Sequence, residues 1–204
     1  MPVSSILRSS VFELPLPAIA RYMRMGRQVP EGELAARVEV LRERAVSVLN
    51  PARIWRRVEM PIPVESASLA RHMEGCHAAY LVCGTIGAGI DALQRRVAVT
   101  SGADALIVQA IGAAAVEVWM DAVESEIQKE LKPGEERIAR FSPGYGDFSL
   151  DYQRTLLAIL DTPRKIGVSL TDTLLMVPSK SVSAIIGVRM AKRYSPQTMV
   201  VASV

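Results

Sequence analysis

The stretch Ala78-Ala-Tyr-Leu-Val-Cys-Gly-Thr-Ile-Gly-Ala-Gly89, with Ser101-Gly-Ala-Asp104 downstream of it, decides the fold. The residues from Ala78 to Val82 form a compact apolar run that enters a glycine-rich turn, which reads as a buried strand followed by a helix over about 90–99. Ser101 then caps a second helix, with Asp104 in the position of a capping-box acid, though on a shorter side chain than Glu. That helix is expected to run from 102 or 103 to about 130, where Lys132, Pro133 and Gly134 end it. Residues 105–116 carry no charge, so its first half is expected to be buried on several sides. Glu124, Glu126, Lys129 and Glu130 bring the second half into solvent.

Upstream, a short amphipathic helix is expected over 17–25, ending near Gly26. Pro30 opens a stronger one, in which Leu34, Val38, Leu41, Ala45 and Val48 recur at helical spacing until Asn50 and Pro51 stop it. Residues 54–62 suit a strand, and Pro61 and Pro63 point to a sheet edge or an exit. A short helix follows over 66–73. Downstream come a turn-rich segment over 140–146, a helix over 150–160, a strand over 174–177, a polar turn over 179–183, and strands over 184–188 and 198–201. Helices are interspersed with short strands without βαβ periodicity. This pattern predicts an α+β fold with an antiparallel or mixed sheet flanked by helices, not a doubly wound one.

The chain has 204 residues, enough for one domain with a modest extension. We take 1–204 as that domain, with 1–60 a helical and strand extension packed on it. Half of the residues are apolar and mean hydropathy is +0.21, which excludes a disordered chain. Aromatics are 5%, so aliphatic side chains and methionine must build the core. A net charge of +3 does not call for nucleic acid, and the clusters Arg53/Arg56/Arg57 and Arg95/Arg96 lack interleaved aromatics and read as solvated faces. Two cysteines and two histidines supply neither a disulfide framework nor a structural zinc site. No charge-free stretch reaches the ~18–20 apolar residues of a membrane span, and prolines break the apolar segment at Leu14 and Leu16. A cytoplasmic location is expected.

Three features carry candidate chemistry. Glu117 ends the charge-free stretch, with Ala110, Ala113 and Ala114 on its helical face leaving room beside the carboxylate. A carboxylate expected to be buried needs a partner, either a structural arginine such as Arg140 or a cationic ligand. In Arg140-Phe-Ser-Pro-Gly-Tyr145-Gly, Pro143 fixes φ and Gly144 permits a positive one, so a tight turn presents Arg140 and Tyr145 on one side. A guanidinium beside free amides suits a carboxylate, although an ordinary loop with a structural arginine explains the same residues. Ser179-Lys-Ser-Val-Ser183 is a hairpin turn or a loop whose hydroxyls meet a large ligand. The glycines Gly84, Gly87 and Gly89 do not match the dinucleotide fingerprint and read as a tightly packed turn, with nucleotide binding as the alternative. No nucleophile–base pattern is present.

Three blocks in order resemble the activation (reactivation) domain of cobalamin-dependent methionine synthase, particularly its short stand-alone relatives. They are Ala110-Ile-Gly-Ala-Ala-Ala-Val-Glu117, Arg140-x-x-x-Gly144-Tyr145, and Gly167-Val-Ser-Leu-Thr171 through Met176-Val-Pro-Ser-Lys-Ser181-Val-Ser183. The resemblance implies a crescent-shaped domain around a bent antiparallel sheet, with S-adenosylmethionine in a shallow groove. It implies that Glu117 lies in that site, that Arg140 holds the methionine carboxylate, and that the backbone at Ser142 and Gly144 meets the adenine beside Tyr145. Ser181 and Ser183 would lie towards the corrinoid. The implied function is reactivation, in which cob(II)alamin on a partner is reduced and methylated from S-adenosylmethionine. The implied partners are a corrinoid protein or methionine synthase core and a flavodoxin- or ferredoxin-type electron donor. No Asp-x-His-x-x-Gly pattern occurs, so cobalamin is expected from another protein. A non-catalytic module that has lost the ligand but still meets the corrinoid protein is the alternative.

Overall fold

A computed structural model describes residues 5–8, 13–26, 28–60, 62 and 65–191. Its elements, in chain order, begin with β1 (Ser5–Arg8), α1 (Leu16–Tyr22), α2 (Gly32–Val46), β2 (Ala52–Glu59), α3 (Ala67–His72), β3 (Cys76–Thr85) and α4 (Gly89–Ala98). They continue with α5 (Gly102–Glu130), β4 (Glu135–Phe141), α6 (Tyr152–Leu160), α7 (Thr162–Ile166), β5 (Ser169–Leu170), β6 (Met176–Val177) and β7 (Ser181–Met190). Five strands form one sheet in the order β1-β2-β3-β7-β4, and β5 with β6 forms a small hairpin. All pairings described are antiparallel. The fold is α+β, with an antiparallel sheet flanked by helices.

The period-two alternation of strands sorts side chains onto two faces. Ala79, Leu81 and Cys83 of β3, with Ile185 of β7 and Ile54 of β2, pack under α6 and α7 together with Phe148. Tyr80 and Val82 of β3, with Ala184, Ile186 and Val188 of β7, meet Met120, Val123 and Ile127 of α5. The first half of α5 leaves the sheet and is enclosed instead by α1, α2 and α4, through Ile19, Val38, Leu41, Ile90 and Leu93. One helix therefore joins two apolar clusters, and this enclosure accounts for its uncharged first half. By length and composition alone α5 could cross a membrane; here most of its apolar residues are core, with Leu106 standing exposed. Gly84 lets α5 sit close on β3, since a Cβ there would stand 2.5 Å from Met120 Sδ.

Several expectations require correction. Of the two readings for Pro61 and Pro63, a sheet edge does not hold, because β2 lies between β1 and β3; the strand ends at Glu59, and both prolines fall outside the described residues. Arg53 is not on a solvated face: it is buried, with its guanidinium over the Trp119 ring at 4.3 Å and donating to the Trp119 carbonyl. Residues 179–183 are not a turn throughout, because β7 begins at Ser181 and carries both Ser181 and Ser183 as buried residues. The strand expected over 174–177 shrinks to β6, and Leu174 before it has a φ of 66°. The strand expected over 198–201 lies outside the described residues. β4 was not anticipated; Glu135-Glu-Arg-Ile-Ala-Arg-Phe141 carries charge at four of its seven positions because it is the sheet's edge. Asp104 does not close a capping box. Its amide donates to Ser101 Oγ at 3.1 Å, while its carboxylate is held by Arg37.

Candidate functional site: a groove where β4 leaves the sheet

β4 pairs with β7 from Glu135 opposite Met190 to Phe141 opposite Ile185, with a register shift between Arg137 and Arg140. Beyond Phe141 the chain turns away, while β7 continues to Ser181 with β3 as its partner. Residues 181–184 of β7 thus have a strand on one side and an opening on the other. The turn that makes this opening is well fixed. Gly144 N donates to the Phe148 carbonyl at 2.7 Å and Tyr145 N to the Ser142 carbonyl at 3.2 Å, with Gly144 at a φ of 95°. Asp147 ties the turn to the start of α3, accepting from Ser66 Oγ at 2.6 Å, Ala67 N at 2.8 Å and Ser68 N at 2.9 Å. Those three donors hold its carboxyl well below the usual carboxylate range.

The opening is a groove of about 590 Å³, and it brings together Glu117, Arg140, Ser142, Gly144, Tyr145, Ser181 and Ser183, all seven residues singled out from the sequence. Phe141, Pro143, Gln153, Met176 and Val182 complete its lining. Glu117 and Arg140 enter from the α5 side of the sheet. Gln153 of α6 and Met176 of β6 enter from the other.

Electrostatics on the α5 side centre on a ladder. Glu117, Asp121 and Glu124 stand at i, i+4 and i+7 and so share one helical face. Arg140 pairs with all three: with Glu117, with Asp121 at 2.9 Å and with Glu124 at 2.7 Å. Arg137 takes the other oxygen of Glu124 at 2.5 Å. Three carboxylates facing two guanidinium groups leave one negative charge in excess. Burial opposes the charge on Arg140, but the hydrogen bond to Asp121 and the neighbouring charges outweigh it and raise its pKa.

Glu117 is not buried as expected: its side chain is 37% exposed and opens to the groove while α5 buries its opposite faces. Arg140 is a strand residue, not part of the turn, which starts after Phe141. Tyr145 is 62% exposed, with its ring tilted against Phe141 at 5.9 Å between centroids. Phe141 is fixed from behind by His72, stacked at 4.8 Å and itself donating from Nε2 to the Ala139 carbonyl at 2.7 Å. Ser181 is engaged inside the fold, through the Pro178 carbonyl at 2.7 Å and the Thr85 hydroxyl at 2.9 Å. Ser183 Oγ and Gln153 Oε1 are buried without a hydrogen-bond partner.

Sequence reasoning missed Asp121, Glu124 and Gln153. The first two continue the helical face of Glu117. Gln153 occupies an apolar position in the pattern 153, 156, 157, 160 of α6, which is otherwise leucine. The glycine turn offers no comparable site. Gly87 N donates to Thr85 Oγ1 at 3.1 Å, and a Cβ at Gly87 would stand 3.0 Å from the Asn50 carbonyl.

The family model described as "Vitamin B12 dependent methionine synthase, activation domain" matches residues 102–199. The resemblance is to that activation domain. The matched stretch contains every one of the seven site residues. Among solved structures, "Crystal Structure of the MetH Reactivation Domain bound to AdoHcy" superposes with a TM-score of 0.63 at 12% identity, covering 95% of this chain and 80% of that one. At that identity the likeness shows the reactivation-domain fold. None of the curated proteins compared with the chain matches it.

Proposed function

We propose that the chain binds S-adenosylmethionine in the groove between α5, β7 and the 142–146 turn. There it supports reductive methylation of cob(II)alamin held by a separate corrinoid protein, most simply methionine synthase. The observation that carries this reading is the convergence of the seven motif residues on one groove whose volume lies within the ~300–1,000 Å³ of small-molecule sites. The excess carboxylate of the α5 ladder suits a ligand bearing a sulfonium and an ammonium group. In this reading Glu117 faces the cationic end of the ligand and Arg140 takes its carboxylate bidentately. Backbone groups at Ser142 and Gly144 meet the adenine, with the open face of Tyr145 beside it. Ser181 and Ser183 lie towards the corrinoid. The chemistry is a one-electron reduction at cobalt followed by transfer of the methyl from sulfur to cobalt, and it belongs to the two small molecules. The protein's share is to orient them and stabilise charge, which agrees with a groove that holds no nucleophile–base pair. The electron comes from a flavodoxin- or ferredoxin-type donor, the setting is cytoplasmic, and the chain acts as one domain, to which β1, α1, α2 and β2 contribute sheet and core.

One observation favours the alternative, an interaction module without the ligand: Arg140 is already shared by three carboxylates. Calorimetric titration with S-adenosylmethionine separates the two. Wild type is expected to bind, and Arg140→Lys, which keeps the charge but loses the planar fork, to bind at least tenfold more weakly. A wild type that gives no heat removes the first reading and leaves the module.

A further inference from the structure

Gln153 is anomalous in the free protein. It sits on the buried face of α6, 7% exposed, in the place of a fourth leucine beside Leu156, Leu157 and Leu160. Its side-chain oxygen is buried and accepts no hydrogen bond, yet the residue lines the groove. A buried acceptor left without a donor is destabilising, whereas an apolar residue of the same shape at such a position is neutral or favourable. The fold therefore keeps Gln153 at the expense of stability, which is the signature of a group whose partner arrives from outside. Ser183 Oγ, also buried and without a partner, lines the same groove.

We infer that Gln153 is a specificity-determining residue, whose carboxamide oxygen accepts a hydrogen bond from a neutral N–H or O–H group on the nucleoside of the bound ligand. The inference rests on the S-adenosylmethionine reading above and deepens it. The Gln153 wall is remote in character from the α5 ladder: among the described residues no charged side chain on that wall lines the groove, so a neutral donor suits it better than the sulfonium or the ammonium. Two groups on an adenosine moiety qualify, the exocyclic amine of the base and the ribose hydroxyls.

The test uses the full chain, S-adenosylhomocysteine as probe, and Gln153→Met, which nearly conserves volume and removes the acceptor. Two effects of opposite sign are expected. The ligand-free variant melts roughly 2–6 °C higher because an unsatisfied acceptor is gone, while affinity for S-adenosylhomocysteine falls roughly tenfold, about the worth of one hydrogen bond. Gln153→Glu, which keeps an acceptor at the same reach, is expected to bind more tightly than Gln153→Met. S-inosylhomocysteine, lacking the exocyclic amine, and the 2′- and 3′-deoxyribose analogues identify the donor. The analogue missing it binds wild type and Gln153→Met equally well. Unchanged affinity of Gln153→Met for S-adenosylhomocysteine overturns the inference while leaving the groove's function intact. So does an equal loss for all four ligands. If wild type itself does not bind S-adenosylhomocysteine or S-adenosylmethionine, the underlying reading falls and this one with it.

Discussion

Glu117 has two possible employments, and the structure shows them to be compatible. It is paired with Arg140, yet more than a third of its side chain is open to the groove. Arg140 keeps Asp121 and Glu124 when Glu117 is neutralised. Glu117→Gln is therefore expected to leave the melting temperature within about 2 °C of wild type, since the half-buried guanidinium of Arg140 stays paired with two other carboxylates. Affinity for S-adenosylmethionine is expected to fall roughly tenfold or more, as for the loss of a charge-assisted contact. Calorimetry and a thermal melt on the same sample check both; a lower melting temperature with unaltered affinity makes Glu117 a tether and nothing else. The alanines beside Glu117 were readable in the sequence as vacant space. Its exposure was not, because nothing in a helix's own sequence says which face the sheet will cover.

At the scale of elements, α4 and the start of the glycine turn depend on close backbone approach. A Cβ on Gly89 would collide with the Val48 carbonyl just after α2. Backbone cannot swing aside as a flexible side chain can, so Gly89→Ala is expected to cost roughly 1–3 kcal/mol, measured by urea unfolding. A variant as stable as wild type shows that α2 and α4 slide apart without penalty. This packing gives the glycine stretch a structural role: Gly87 and Gly89 meet the backbone at α2's exit. The long helix was legible in full, from the Ser101 cap to Lys132-Pro133-Gly134, because its signals are local. β4 was not, since an edge strand whose arginines reach across to acids on another element looks like a polar loop until its partners are known. The serines of 181–183 misled for the converse reason, a polar run being read as a turn when the hydroxyls in fact face the interior.

For the molecule as a whole, Glu135 makes stability depend on acid. Arg57 donates to both of its oxygens, at 2.7 and 3.0 Å, and with further help from Lys132 N and His77 brings its pKa down to about 2 from an ordinary 4.5. A carboxyl depressed in the folded state contributes its full stability above its unfolded pKa and loses it as pH falls towards the folded one. Unfolding free energy is thus expected to decline between about pH 4.5 and about pH 2, and Glu135→Gln to flatten part of that slope. Parallel pH profiles for the two proteins would refute it. These contacts join β2, β3 and β4 at the end of the sheet away from the groove, so ligand affinity is expected to stay unchanged in the variant.

The double duty of α5 has one more effect. Over about 43 Å its 29 residues serve first a cluster of helices and then a face of the sheet, and its middle carries the acids that grip Arg140. Neither half can melt and leave the other a finished surface to rest on. Heating should produce a single calorimetric peak, and no partly molten species should retain a working binding cleft, because the scaffold and the cleft share the same spine.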